Sequence, residues 1–164
     1  MFNIEWAEIF SGFSPEIAVL IIAMIPIAEL RAAIPIGITV FDLPVITTFI
    51  YAFIGNLIPV VIILLCLEPV SRWLMIHSKT FQRFLNWLFD RTRKKHSEKF
   101  ERYGALALIS FVAIPLPITG GWTGSLAAFL FGIPFRKALP LIMVGVAFAG
   151  AIVTILSVGL DNIF

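Results

Sequence analysis

Two long apolar stretches, Ile17 to Leu67 and Ala105 to Leu160, flank one polar stretch. Each is about 50 residues long, where a single membrane-spanning helix needs about 20. A turn-like proline cuts each block, FDLP at 41–44 and FGIP at 131–134, and leaves apolar segments 17–41, 44–67, 104–131 and 135–160. The spacing inside the two blocks also repeats. Pro26 precedes Pro44 by eighteen residues and Pro115 precedes Pro134 by nineteen, and a glycine (Gly55, Gly145) follows eleven residues after each second proline. An offset of 89 to 90 residues therefore relates the halves, which reads as a duplicated unit.

The polar stretch has its own pattern. Phe81, Phe84, Leu85 and Leu88 fall at i, i+3, i+4 and i+7, with Arg83, Asp90, Arg91, Arg93, Lys94 and Lys95 around them. That spacing predicts an amphipathic helix in the lipid headgroup region, anchored by Trp73 and Trp87. The basic run RTRKKH at 91–96 is assigned to lipid, because no nucleic-acid-binding module accompanies it.

Composition sets the solvent. Hydrophobic residues make up 60% of the 164-residue chain and charged residues 13%, against about 45–50% apolar and 25% charged in soluble domains. A water-soluble core cannot absorb that much apolar sequence, so the chain reads as an integral membrane protein. The N-terminal sequence MFNIEWAEIF is acidic where a signal peptide is basic, and nothing is read as cleaved. Cys66 has no second cysteine to pair with, no Cys/His cluster suggests a metal, and no cofactor is assigned. Nothing resembles a nucleophile–base pair or a phosphate loop, so the chain is not read as an enzyme.

Charge placement orders the threading. Nine of the twelve basic residues lie in the linker 69–103, Arg136 and Lys137 follow the FGIP turn, and Arg31 stands alone. Four full crossings would split the linker and turn nine against two across the membrane. If 17–41 and 104–131 are instead re-entrant hairpins, all eleven share one face, which the positive-inside rule prefers. Pro26 and Pro35 in the first hairpin, and Pro115, Pro117, Gly120 and Gly121 in the second, suit broken helices. An arm of about 12 residues reaches only ~18 Å, so two opposed hairpins would meet tip to tip near the midplane.

Glu29 and Arg31 are the only charges inside the apolar segments away from their ends. A charge at the bilayer centre costs ~2.5–3.5 kcal/mol on insertion scales, which favours a substrate or ion site over a mutual salt bridge. Regular helical spacing at i, i+2 would keep the two apart, while a broken backbone between prolines lets them pair. A carboxyl withdrawn from water suits a proton carrier or the partner of a hydrophobic cation. The Arg31 guanidinium suits a phosphate or carboxylate. The residues supply both chemistries without choosing. In the second hairpin, Thr119, Gly120, Gly121, Thr123, Gly124 and Ser125 either present amides and hydroxyls to a ligand or let the tips pack closely. Trp122 reads as a plug at that contact or a stacking surface. Asn56, one turn before Pro59, either lines a path or hydrogen-bonds a neighbouring helix. Gly145 with Ala149 and Gly150 with Thr154 are small-residue pairs suited to helix packing or a dimer seam.

The strings IPIAELRAAIPIG at 25–37, FDRTRKKHSEKFERYG at 89–104 and FVAIPLPITGGWTGSLAA at 111–128 together resemble the small multidrug-export membrane proteins of bacteria and archaea. That family is similar in its hairpin arrangement to the wider DedA and VTT-domain superfamily, whose members are linked to flipping isoprenoid-phosphate carriers or scrambling phospholipids. The resemblance implies opposed re-entrant hairpins. It sets Glu29, Arg31 and Pro35 in the first hairpin motif and Pro115, Pro117, Gly120, Trp122, Thr123 and Gly124 in the second. The second motif departs from the family's PLPGTGAWTG at Ile118 and Gly121.

The expectation is an all-α integral membrane protein with two inverted repeats, each a re-entrant helical hairpin plus one transmembrane helix. The first repeat, 1–68, holds a short surface helix, hairpin 17–41 and transmembrane helix 44–67; the second, 104–164, holds hairpin 104–131 and transmembrane helix 135–160. The basic amphipathic linker 69–103 joins them on the cytoplasmic side of a bacterial or archaeal inner membrane, with both termini outside. The expected function is transport of small amphipathic substrates, with protons as a coupling ion. The alternatives are flipping or scrambling of an anionic lipid such as an isoprenoid phosphate carrier, and a non-transporting membrane-organising role. Expected partners are membrane lipids, the substrate or lipid phosphate, protons and a second copy in a homodimer, with no nucleic acid. Cysteine tags on the linker and on either terminus should label from opposite sides of the membrane; labelling from one side would overturn the re-entrant threading.

Overall fold

The computed structural model describes residues 10, 12–93, 98–115 and 119–161, and the side chains of 10, 12–87, 104–115 and 119–159. Seven α-helices and no strand occur among them: α1 (Pro15–Met24), α2 (Glu29–Thr39), α3 (Val45–His77), α4 (Lys79–Arg93), α5 (Glu98–Ala113), α6 (Gly121–Leu130) and α7 (Phe135–Asp161). The expected N-terminal surface helix lies outside the described residues.

Prolines and caps set the breaks. Ser14 caps α1 and Pro15 opens it, where a missing N–H costs nothing. Ile25, held extended ahead of Pro26, ends it. The chain turns through 25–28 and re-enters a helix at Glu29. In the second half α6 stops with Gly132 at φ 69°, the Gly132 N–H on Phe129 O and the Ile133 N–H on Ala128 O, a Schellman end that frees Pro134 to start α7. Segments 17–41 and 104–131 are thus each two helices around a break. The apolar arms are short: α1, α2, α6 and the Gly104–Ala113 part of α5 have 10 or 11 residues each.

Two helices are long and apolar enough to cross a membrane, Val45–His77 with mean hydropathy 2.6 and Phe135–Gly159 with 2.5. Helix α3 runs ten residues beyond the expected end at Leu67, carrying Pro59 and Pro69 inside it. The extension is held by an exposed i, i+4 ion pair, Arg72 Nη2 to Glu68 Oε1 at 2.6 Å, and by the Ser71 hydroxyl donating to the Glu68 carbonyl. On α3 one stripe is buried: Thr48, Ala52, Gly55, Asn56, Pro59 and Val60. Ile46, Ile50, Ile54, Ile62 and Leu65 face outward. An outward apolar face of this length suits lipid, where helices satisfy their own backbone.

Both halves pack by one scheme. The first arm of each hairpin lies against the long helix of its own half, α1 on α3 and α5 on α7. The second arm lies against the long helix of the other half, α6 on α3 and α2 on α7. Glycine permits the first kind of contact. A Cβ on Gly55 would run into the Leu20 carbonyl of α1, and one on Gly145 would come within 2.7 Å of Val112 Cβ and 3.0 Å of the Ile109 carbonyl of α5. The two glycines picked out by spacing therefore do the same job. Gly150 packs on the Phe49 ring and Gly145 on α5, so both glycines of the small-residue pairs make helix packing within the chain.

Helix α4 folds back against α3 and touches α6. Of its expected stripe, Leu85 turns inward, while Phe81 and Phe84 stay exposed beside Trp87, in a row of rings 6.4 Å apart. The side chain of Leu88 lies outside the described residues. Gly55→Ala and Gly145→Ala should each lower the unfolding midpoint of the detergent-solubilised protein, by ~1–3 kcal/mol for forced overpacking. Gly159→Ala, with nothing within 4 Å of its new methyl, should leave it unchanged or raise it.

Candidate functional site

The two hairpin breaks come together against the middle of α3. Glu29 is the first residue of α2 and takes φ 46°, a left-handed conformation that costs an L-residue ~1–2 kcal/mol. That turn carries the side chain away from its own helix and across to the second hairpin. There the Trp122 backbone N–H donates to Glu29 Oε1 at 3.4 Å, and the Gly121 N–H lies beside it. These are orphan donors at the start of α6, whose first internal bond runs from the Gly124 N–H to the Gly120 carbonyl at 2.8 Å. A carboxylate at a helix N-terminus meets both free N–H groups and the positive end of the helix dipole. Gly120 makes the approach possible, since any Cβ there would overlap the Glu29 carboxyl.

The second carboxyl oxygen faces Arg31. Nη2 lies 3.7 Å from Glu29 Oε2, with the side chains 20% and 8% exposed. A regular helix would have kept positions 29 and 31 apart; the left-handed residue at 29 removes that restriction. Asn56 closes the site from α3. It is fully buried, turns to the Glu29 carboxyl and packs on Gly121, with neither amide atom in a well-formed hydrogen bond. Of the two expected roles, lining a path or bonding a neighbouring helix, the structure turns Asn56 to Glu29 at the start of the neighbouring helix α2. The Trp122 Nε1 is likewise buried and unpartnered, on a half-buried ring.

The other expected residues sort by what they touch. Pro35 sits in α2 one turn after Arg31, where its missing N–H leaves the Arg31 carbonyl without its helical donor. Pro115 lies in the break after α5, and the Thr119 hydroxyl donates to the Ile114 carbonyl across that break at 2.5 Å. The Thr123 hydroxyl is 3.4 Å from the Gly120 carbonyl. Gly124 is a packing residue, with Val112 Cγ2 at 2.5 Å from where its Cβ would be. Pro117 lies outside the described residues. Glu29, Arg31, Asn56, Gly120, Gly121 and Trp122 thus gather at one point, and Pro35, Pro115, Thr119, Thr123 and Gly124 shape the elements around it.

Sequence reasoning missed Thr48. It is fully buried with its Oγ1 unpartnered, eight residues before Asn56 on the same stripe, and its hydroxyl would be 3.2 Å from a Cβ on Gly37. The available signal was two polar residues at helical spacing in an otherwise apolar segment. No group of three His, Cys, Asp or Glu side chains that could hold a metal occurs among the described residues.

No curated protein and no solved structure matches the chain. A family profile described as "Putative small multi-drug export protein" matches residues 29–152, which include the second hairpin, the linker, the second arm of the first hairpin and most of both long helices. The match begins at Glu29, the residue that joins the two halves, and the chain belongs to this family of small multidrug-export membrane proteins.

Proposed function

We propose that the protein carries small amphipathic substrates across the membrane along the seam where the hairpin breaks meet. One observation carries the reading: a buried Glu29 paired with a half-buried Arg31 stands where the two halves of a strongly apolar molecule meet. An ionisable pair in that position is expensive and marks a pathway by default. The four apolar arms, 10 or 11 residues each, reach about 15–17 Å, half of a ~30 Å hydrocarbon core. They are short enough to enter and leave by one face as re-entrant hairpins of two inverted repeats. In this reading the apolar layer begins near Val45, and Asn56, twelfth residue of α3 and about 17 Å along it, holds the pair near mid-depth.

In this reading the hairpin breaks form the barrier, and Glu29 carries the coupling proton. The basic linker faces the cytoplasm and the termini face outward in the inner membrane. Two helices of spanning length wall off little space by themselves, so the working form is a homodimer.

The test is substrate-driven proton movement in proteoliposomes with an imposed pH gradient, offering both cationic and anionic amphiphiles. Movement should appear in the wild type and fall at least tenfold in Glu29→Gln and Arg31→Ala, the loss of one essential group being worth ~1.4 kcal/mol or more. Movement unaffected by both changes, or absent with every amphiphile, would remove the reading. Asn56 gives a second check. Replacing a buried, unpartnered amide by leucine relieves an unsatisfied group worth ~1–3 kcal/mol. Asn56→Leu should therefore unfold at the same or a higher temperature while losing transport; loss of stability with retained transport would make Asn56 a packing residue.

A further inference from the structure

The groups around Glu29 are nearly all donors, and few of them are well used. The Trp122 N–H reaches Oε1 at 3.4 Å, the long end of hydrogen bonding, and the Arg31 guanidinium stands off Oε2 at 3.7 Å. The Asn56 amide turns to the same carboxyl without a well-formed hydrogen bond. Together they form an anion-binding site of a kind broken helices make: a helix start, a guanidinium fork and a side-chain amide. The Glu29 carboxylate fills it loosely, from a left-handed backbone position that releasing the side chain would relax. A cation entering here would meet the positive end of α6 and Arg31, and a single carboxylate already shared between them.

We infer that Glu29 is an internal stand-in for the substrate, and that the site binds an amphiphile whose anionic head, the size of a carboxylate, displaces the Glu29 carboxylate from the start of α6. The head takes the Gly121 and Trp122 N–H groups, Arg31 and Asn56, while the apolar body lies along the lipid-facing seam. Gly120 and Gly121 leave room for the head because neither carries a Cβ toward Glu29 or Asn56. This deepens the transport reading and takes its site from it. It also reverses the usual expectation for an intramembrane glutamate, since here the acid competes with the ligand.

Binding, measured without a gradient, tests it. The full chain in zwitterionic nanodiscs is titrated with octanoate and with octyltrimethylammonium, with empty nanodiscs subtracted. Octanoate should bind the wild type, bind Glu29→Gln about tenfold tighter because a resident charge at a helix end is gone, and bind Arg31→Gln at least tenfold weaker. Asn56→Leu, whose stability is expected to hold, should weaken octanoate binding several-fold. Weaker octanoate binding in a folded Glu29→Gln protein would overturn the inference. So would octyltrimethylammonium binding that disappears in that variant, or octanoate binding untouched by Asn56→Leu. Proton-coupled movement of cations alone would likewise sink it and leave transport standing. Octanoate binding with the predicted pattern, but no movement of any amphiphile in proteoliposomes, would sink transport and leave the site.

Discussion

One carboxylate at one helix start holds the two halves of this protein in register. Helix α6 begins in an apolar interior, where its first N–H groups find no water, and an unsatisfied donor there costs about as much as a lost hydrogen bond. Glu29 answers that need from 93 residues away. Its reach depends on three local features: the break at Pro26, the left-handed backbone at residue 29, and a residue without a side chain at 120. Remove any of these and the breaks of the two hairpins have no polar reason to meet.

The same solvent constraint explains most of the remaining polar groups. In lipid a hydroxyl must find a partner inside its own helix, and several do. Ser125 donates to the Gly121 carbonyl, Thr154 to Gly150 and Ser157 to Val153, each four residues back. These residues are settled locally and carry no message. Thr48 and Asn56 differ because their stripe on α3 faces the hairpin helices, Thr48 beside Gly37 of the first and Asn56 beside Gly121 of the second, with no carbonyl of their own helix taken up. The contrast separates hydroxyls satisfied inside their own helix from polar groups that the packing of the hairpins leaves without a helical acceptor.

The exchange of arms between halves is the second organising feature. Each hairpin leans its first arm on its own long helix, and its second arm bridges the long helices of both halves. Neither half can be removed without stripping a long helix of half its neighbours. Close backbone contact at Gly55 and Gly145 allows the first kind of packing, and Gly121 against Val60 and Asn56 allows one of the second kind. The outward faces need only be apolar, which is why isoleucine, leucine and phenylalanine crowd them.

Much of this was legible in the chain. The apolar blocks, the prolines that cut them and the nine basic residues between them point to an all-helical membrane protein with two long apolar helices, because lipid solvent leaves few other uses for such runs. Glu29 and Arg31 stood out for the same reason, as charges with no solvent. Three strings, at 25–37, 89–104 and 111–128, sufficed to name the family. The end of α3 was not legible, since Pro69 reads as a stop and a membrane helix tolerates it. Nor was the partner of Glu29. Spacing within one segment could weigh only Arg31, whereas the groups that hold the carboxylate are backbone N–H groups, which every residue but proline possesses and no sequence marks. Which helix start needed an anion, and which amide would be left without a partner, depended on how two distant breaks docked on α3, and only the tertiary structure decided that.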